Sequence, residues 1–333
     1  MQRNKSLIKT ASPPFNSTIN LLNSLQGMKV ETTNFRGWPN TLRVSNGSTE
    51  LMVTTDVGPR ILLYQTEGRS NVFKVFDEQC GNSGEEEFMI RGGHRFWLGP
   101  EDWILSYHLD NRPVQYKQNG PGGELVIESL QTDPSTIRKT LGIKLASEGA
   151  QVVVRHTATN EGSSPFRLAT WGLTVMRPGG LEVIPQPPHG EHPRDILPNR
   201  GMVLWPYTDL SDPRWTFGRD FWLLQQEEGG SPTKIGLAHS SRWVAYITQD
   251  LLFIKKIEMI SGEAYPDGGC NFETFTNGEM IEIESLGPLK TLAPGESTTH
   301  TETWCLYPLE QELTITSEED LAAWISPYVK KLG

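Results

Sequence analysis

From about Thr41 the chain is written in short runs where apolar and polar residues alternate, each closed by Gly, Pro, Asn or Ser. A period of two is the pattern of a strand with one buried face. The stretch TLRVSNGSTELMVTT sets Asn-Gly between two such runs, a strong hairpin signal. GPRILLYQTEGRSNVFKVF reads as strand, glycine turn, strand, and the segment from Gly122 to Met176 adds four more runs. Turn signals at this spacing predict an all-β sandwich. Helical periodicity is clear only in TSEEDLAAWISPYVKKLG, where Thr/Ser precede acids in the first turn and lysines lie near the end. No repeat or low-complexity linker breaks the pattern. The expected organisation is therefore a loosely attached leader over 1–27, one β domain over 28–312, and a helix in 313–333. Residues 177–220 stand apart: they are dense in Pro and Gly and predict a long connection of the functional or mobile kind.

The strand GEMIEIESLGP is the most legible piece of candidate chemistry. Alternation puts Ile281 and Ile283 on one side and Glu282 and Glu284 on the other, the glutamates about 7 Å apart. The isoleucines belong between two sheets. The glutamates then lie on the outer face, which patterning alone reads as solvated. Two carboxylates side by side cannot flank a bond from opposite sides as a glycosidase pair does. A single one acting as a base is the chemical alternative.

Composition narrows the function classes. Hydrophobic residues make up 36% of the 333 and charged residues 21%, enough for a packed core. No apolar run approaches the ~20 residues that span a bilayer. The net charge of −10 offers no basic footprint for nucleic acid or an anionic membrane. A neutral small molecule fits better, and ten tryptophans supply more rings than core packing needs. Cys80, Cys270 and Cys305 have neither disulfide-framework nor zinc spacing. The first 27 residues lack an uninterrupted apolar stretch, so a cytoplasmic location is expected.

EFMIRGGHRFWLGPEDW, residues 87–103, gathers Arg91, His94, Arg95, Trp97, Glu101 and Trp103. Arginines can fork onto vicinal hydroxyls, and indoles can stack on sugar C–H faces while their N–H groups donate. The same residues could instead form an arginine–glutamate cluster that locks a loop. His189 and His192 are three apart in a Pro-rich loop, so helix-based metal spacing fails, and no metal or cofactor is expected. His108, His156 and His239 read as structural. Asp267 in YPDGGCNFE is a Pro-Asp-Gly turn residue by its surroundings, although it could reach a cleft.

Four stretches together resemble the galactose mutarotase-like superfamily, over about Leu42 to Tyr307. TELMVTTDVGPRILLYQTEGRSNVF is similar to its opening hairpin, and RGGHR is similar to the Arg-x-x-Asn-Arg signature, with His94 in the asparagine position. PFRLATWGLTVM resembles the central strand, and MIEIESLGPLKTLAPGESTTHTETWCLYPL the closing pair. The resemblance implies a β-supersandwich of two large antiparallel sheets with a short C-terminal helix, binding a pyranose on its concave sheet. It implies Glu284 as the base, with Glu282 as the alternative, and Arg91 and Arg95 as hydroxyl clamps. The chain departs where the family carries its catalytic histidine, because Trp171 stands there, and an indole is no general acid. His94, His189 or His192 would then supply the proton, and Trp171 a stacking floor. The expected partner is a small-molecule sugar or glycan end, bound by a monomer or weak homodimer. Epimerase-type isomerase, non-catalytic binder, and hydrolase or lyase with Glu284 facing Glu101 or Asp267 all remain open at this point.

Overall fold

The computed structural model describes residues 27–131, 135–311 and 313–332, with the backbone alone at 130 and 131. Most of the expected leader, residues 1–26, lies outside the described residues. Two large antiparallel sheets face one another, one of eleven and one of ten strands among the described residues. The eleven-stranded sheet is centred on the strands Gly93–Gly99, Phe166–Met176, Ile281–Leu286, Phe272–Thr276 and Thr233–Leu237, in that spatial order. The ten-stranded sheet has Leu251–Lys256, Ser297–Pro308 and Val152–Asn160 at its middle.

Alternation dictates what fills the space between them. Tyr64, Phe73, Phe253 and Trp304 meet there at centroid distances of 5.7–6.4 Å, with Ile281 and Ile283 fully buried nearby. The Asn-Gly hairpin forms as its sequence predicts. Asn46 Oδ1 accepts the Ser48 and Thr49 backbone N–H groups, and Gly47 takes φ +101°. In RGGHR the two glycines answer to packing of the backbone. A Cβ on Gly92 would stand 2.1 Å from the Lys74 carbonyl oxygen, and one on Gly93 2.2 Å from that of Ile61. Both residues also hold positive φ, which glycine adopts without steric penalty.

The C-terminal helix runs Glu318–Lys330, beginning at the Ser317 cap rather than at 313, and Ser317 Oγ accepts from the Asp320 N–H. Its Glu318 carboxylate receives the N–H groups of Arg219, Asp220 and Phe221, which docks the helix onto the strand Phe221–Gln225. No helix among the described residues is long and apolar enough to cross a membrane. Residues 177–220 are not one long connection. They contain the strands Leu181–Pro185, Met202–Leu204 and Trp215–Phe217, and an exposed loop fills 186–201. Pro and Gly density misled because those residues mark several turns here and not one loop.

The inter-sheet space also holds polar groups. Glu182 accepts from Thr274 Oγ1 at 2.6 Å, while its other oxygen has no partner. Burial raises its pKa to about 8, against the Thr274 bond and Lys255 and with help from Glu284. The native chain therefore holds a proton that the unfolded chain releases above an ordinary glutamate pKa. That contribution is complete at pH 4 and is lost as pH rises through about 8. Glu182→Gln should leave the urea midpoint nearly unchanged at pH 4 and raise stability at pH 8.5 by about 4 kcal/mol. Equal behaviour of the two proteins at both pH values would show that Glu182 is ionised in the fold.

Candidate functional site

Strand register lines up one row of side chains across the middle of the eleven-stranded sheet. Arg95 pairs with Leu173, Leu173 with Glu284, and Glu284 with Glu273. Two residues along, Trp97 pairs with Trp171; two the other way, Glu282, Phe275 and Lys234 follow one another. All of these share the outer face, opposite the isoleucines. All but Glu273 line a cleft of about 210 Å³, which Glu101, Tyr107 and Tyr207 close from the loops.

The outer face is not solvated here. Glu284 is fully buried and Glu282 nearly so, which corrects the solvated reading of this strand. Alternation assigns a face but does not say what covers it, and loops cover this one. Each acid instead has a cation. Arg95 donates to Glu282 at 2.8 Å and lies 4.5 Å from the Trp97 ring centre. Lys234 Nζ stands 2.8 Å from Glu273, 3.2 Å from Glu284 and 3.9 Å from Glu101, over the rings of Trp171 and Trp205. Burial opposes the lysine charge, but Glu284 and Glu273 outweigh it and raise its pKa, so it stays an ammonium. Burial raises the pKa of Glu273 and Glu284, with Lys234 pulling the other way.

Glu284 is gripped on one side only. Its Oε2 accepts from the Trp171 indole at 3.0 Å and from Lys234, whereas Oε1 is buried without a partner. Two buried donors on the cleft wall, Trp97 Nε1 and Arg95 Nε, also lack partners. Such orphans are rare in folded chains, and each costs about 1–3 kcal/mol unless something else satisfies it.

The fold thus brings together Glu282, Glu284, Arg95, Trp97, Glu101 and Trp171. Trp171 is only 1% exposed, so its indole N–H on Glu284 counts for more than an open stacking floor. Arg91 is not part of the cleft. It is buried against Glu85 at 2.6 Å and faces Trp38, the loop-locking role that was the alternative for this stretch. His94 leaves the site as well. Period two sets it opposite Arg95 and Trp97, and it points between the sheets, 2.6 Å from His156 Nε2 and 2.9 Å from Thr174 Oγ1. His189 is exposed in the 186–201 loop, bonded to the Gly190 carbonyl. Asp267 sits in its turn at φ +49° and is not among the residues that line the cleft. A hydrolase pair of Glu284 with Glu101 is disfavoured, since the Lys234 ammonium holds both carboxylates where a scissile bond would need to lie, and Asp267 does not line the cleft.

With fold and site together, solved structures provide a comparison. The chain superposes on the Slr1438 protein of Synechocystis sp. PCC 6803 with a TM-score of 0.58 at 12% identity, covering 84% of this chain and 100% of that one. A galactose mutarotase-like protein from Lactobacillus casei ATCC 334 gives 0.52 at 11%, covering 80% and 100%. The chain has the galactose mutarotase-like fold. A candidate aldose 1-epimerase from Klebsiella pneumoniae gives 0.53 at 10%, covering 92% of this chain and 88% of that one. No protein-family model matches the sequence, and no curated protein does either.

Inside this mutarotase-like sandwich, His94, His156 and Glu302 bring donor atoms within 4.8 Å of one another, a spacing that could suit a cation. Their hydrogen bonds are already complete. Lys255 Nζ donates to Thr174 Oγ1, the Ile283 carbonyl and Glu302 at 2.7–3.0 Å. Glu302 also accepts from Trp304 Nε1 at 2.6 Å and from Ser285. His156 Nδ1 donates to the His300 carbonyl, so its Nε2 can accept from His94. Lys255 is the cation of this cluster, and a metal would have to displace protons throughout it.

Lys234, Glu273, Tyr107 and Tyr207 belong to the site and were not singled out from the sequence. Alternation in Thr233–Leu237 could have placed Lys234 on one face of its strand, but nothing in the text of the chain aims it at Glu284.

Proposed function

We propose that this chain recognises a sugar ring in the cleft on the outer face of its eleven-stranded sheet. Glu284 Oε1 would accept a hydroxyl hydrogen, and Arg95 and Trp97 would donate to ring oxygens. The observation that carries this reading is the set of unpaired buried polar atoms around one small cleft: Glu284 Oε1, Trp97 Nε1 and Arg95 Nε. A polyhydroxylated ring beside aromatic faces satisfies acceptor and donors together. The likeness to mutarotase-like proteins is compatible with it and adds no substrate.

Catalysis of the epimerase type is the second reading, favoured by the Glu284 carboxyl, whose burial raises its pKa. In that reaction Glu284 takes the anomeric hydroxyl proton as the C1–O5 bond opens, and an acid delivers a proton to O5. The nearby donors hold their protons firmly. The pKa values of Lys234 and of the Tyr107 and Tyr207 hydroxyls are all raised, and no histidine is among the described residues that line the cleft. Recognition is therefore placed ahead of ring opening.

Exchange NMR with D-glucose, D-galactose and D-mannose tests both. Wild type should broaden the lines of at least one sugar, and Glu284→Gln should weaken that affinity by about 10–100-fold, as expected for a bond to a charged group. Anomer interconversion accelerated by wild type and not by Glu284→Gln would promote the isomerase reading. Sharp lines with every sugar would sink the recognition of single rings.

A further inference from the structure

A series of aromatic rings leads out of the cleft. Trp171 and Trp97 have centroids 5.4 Å apart, Trp97 and Tyr107 4.9 Å, and Tyr107 and Trp103 4.9 Å with only 25° between planes. Exposure climbs along the series, from 1% at Trp171 and 4% at Trp97 to 81% at Trp103. Tyr107 is the hinge of the arrangement, since it lines both the cleft and a neighbouring hollow of about 660 Å³. That hollow is walled by groups of both polarities, among them Arg112, Gln115, Glu128 and Ser129.

Core packing does not account for Trp103. An indole at this exposure gains little from burial, and its one ring contact among the described residues is the stack on Tyr107. The turn that carries it is nevertheless tightly held. Asp102 Oδ1 accepts the N–H groups of Ile104 and Leu105, and Ser106 Oγ bonds the Leu98 carbonyl and the Asp102 N–H. The Tyr107 hydroxyl donates to Glu101 at 2.7 Å, which fixes the ring beneath. A pre-organised aromatic face beside mixed hydrogen-bonding groups suits a neutral sugar better than a lipid or an apolar helix.

We infer that Trp103 and Tyr107, with the adjoining hollow, form a second sugar subsite, so that the ligand is an oligosaccharide or glycan end rather than a free monosaccharide. This rests on the reading of the cleft as a sugar site. The first ring sits by Glu284 and Arg95. The next lies against the Tyr107 and Trp103 stack, and the hollow that Tyr107 also lines offers Gln115 and Arg112 to its hydroxyls.

Titration calorimetry would compare D-glucose, D-galactose and D-mannose with maltose, cellobiose, β-1,4-galactobiose and β-1,4-mannobiose, on wild type, Trp103→Ala and Trp103→Phe. At least one disaccharide should bind about tenfold more tightly than its monosaccharide. Trp103→Ala should remove that gain, and Trp103→Phe should keep most of it, with thermal midpoints near wild type because the residue is exposed. A monosaccharide bound as tightly as every disaccharide would overturn the second subsite and leave the cleft reading standing. A gain that survives Trp103→Ala would overturn it too. Trp103→Ala that changes sedimentation but not affinity would instead assign the indole to contact between copies. Silence with all seven sugars would overturn both the cleft reading and this one.

Discussion

Lys255→Met should destabilise the protein by about 3–5 kcal/mol at pH 8, because it leaves a buried carboxylate without its cation. Lys255 is fully buried and spends its three protons on Thr174, the Ile283 carbonyl and Glu302. Burial alone would raise the Glu302 pKa, but Lys255, His94, His156 and His300 together hold it below the ordinary carboxylate range. Burial lowers the pKa of all three histidines, and Lys255 lowers them further, while Glu302 raises them. Without the lysine, a histidine beside Glu302 becomes the easiest cation to make. Its folded pKa then rises, and a group raised in this way contributes stability that is present at low pH and lost as pH increases. The deficit should therefore shrink between pH 8 and pH 6, read from urea unfolding at both values. Adding Glu302→Gln to Lys255→Met should recover much of the loss, since a charge is removed with its partner. A deficit that is independent of pH would mean that the histidines do not respond to Glu302.

For Lys234→Met the expected loss is about 3 kcal/mol at pH 8, somewhat smaller because its cluster borders an open cleft. The substitution leaves Glu273 and Glu284 directly opposed across two strands, with Glu101 close by. Like charges at such a spacing cannot both ionise cheaply when dry. The pKa values of Glu273 and Glu284, already raised by burial and restrained by Lys234, should rise further. For a carboxyl whose folded pKa is raised, stability is complete at low pH and falls as pH climbs through the folded value. Wild type and variant should then converge towards pH 5 and separate above neutrality. The variant also loses the ammonium over Trp171 and Trp205, so its tryptophan emission should shift while the fold persists at pH 5. An unchanged midpoint at pH 8 would show that both carboxyls are already neutral in the wild-type fold, so that the lysine has no carboxylate there to stabilise.

Much of the architecture is local in origin, and for that reason it was legible. Alternating residues, Asn-Gly at 46–47 and the Ser317 cap each act within a few positions of themselves, through side-chain direction, turn geometry or a single hydrogen bond. The same local rule could have excluded His94 from the cleft, because one residue of offset from Arg95 turns it to the opposite face. Burial of Glu282 and Glu284 was not legible, because alternation names a face without naming its cover. Arg91 failed for a related reason: a backbone at positive φ beside two glycines carries its side chain to Glu85 and away from the cleft.

What the sequence determined by itself is the all-β sandwich, the closing helix and the order of side chains along each strand, because those follow from short-range periodicity. Tertiary structure alone decided the electrostatics. Lys234 meets Glu284 from 50 residues away and Lys255 meets Glu302 from 47. A charge becomes decisive only where burial strips it of water, and burial is settled by the assembled sheets and loops, not by any one strand.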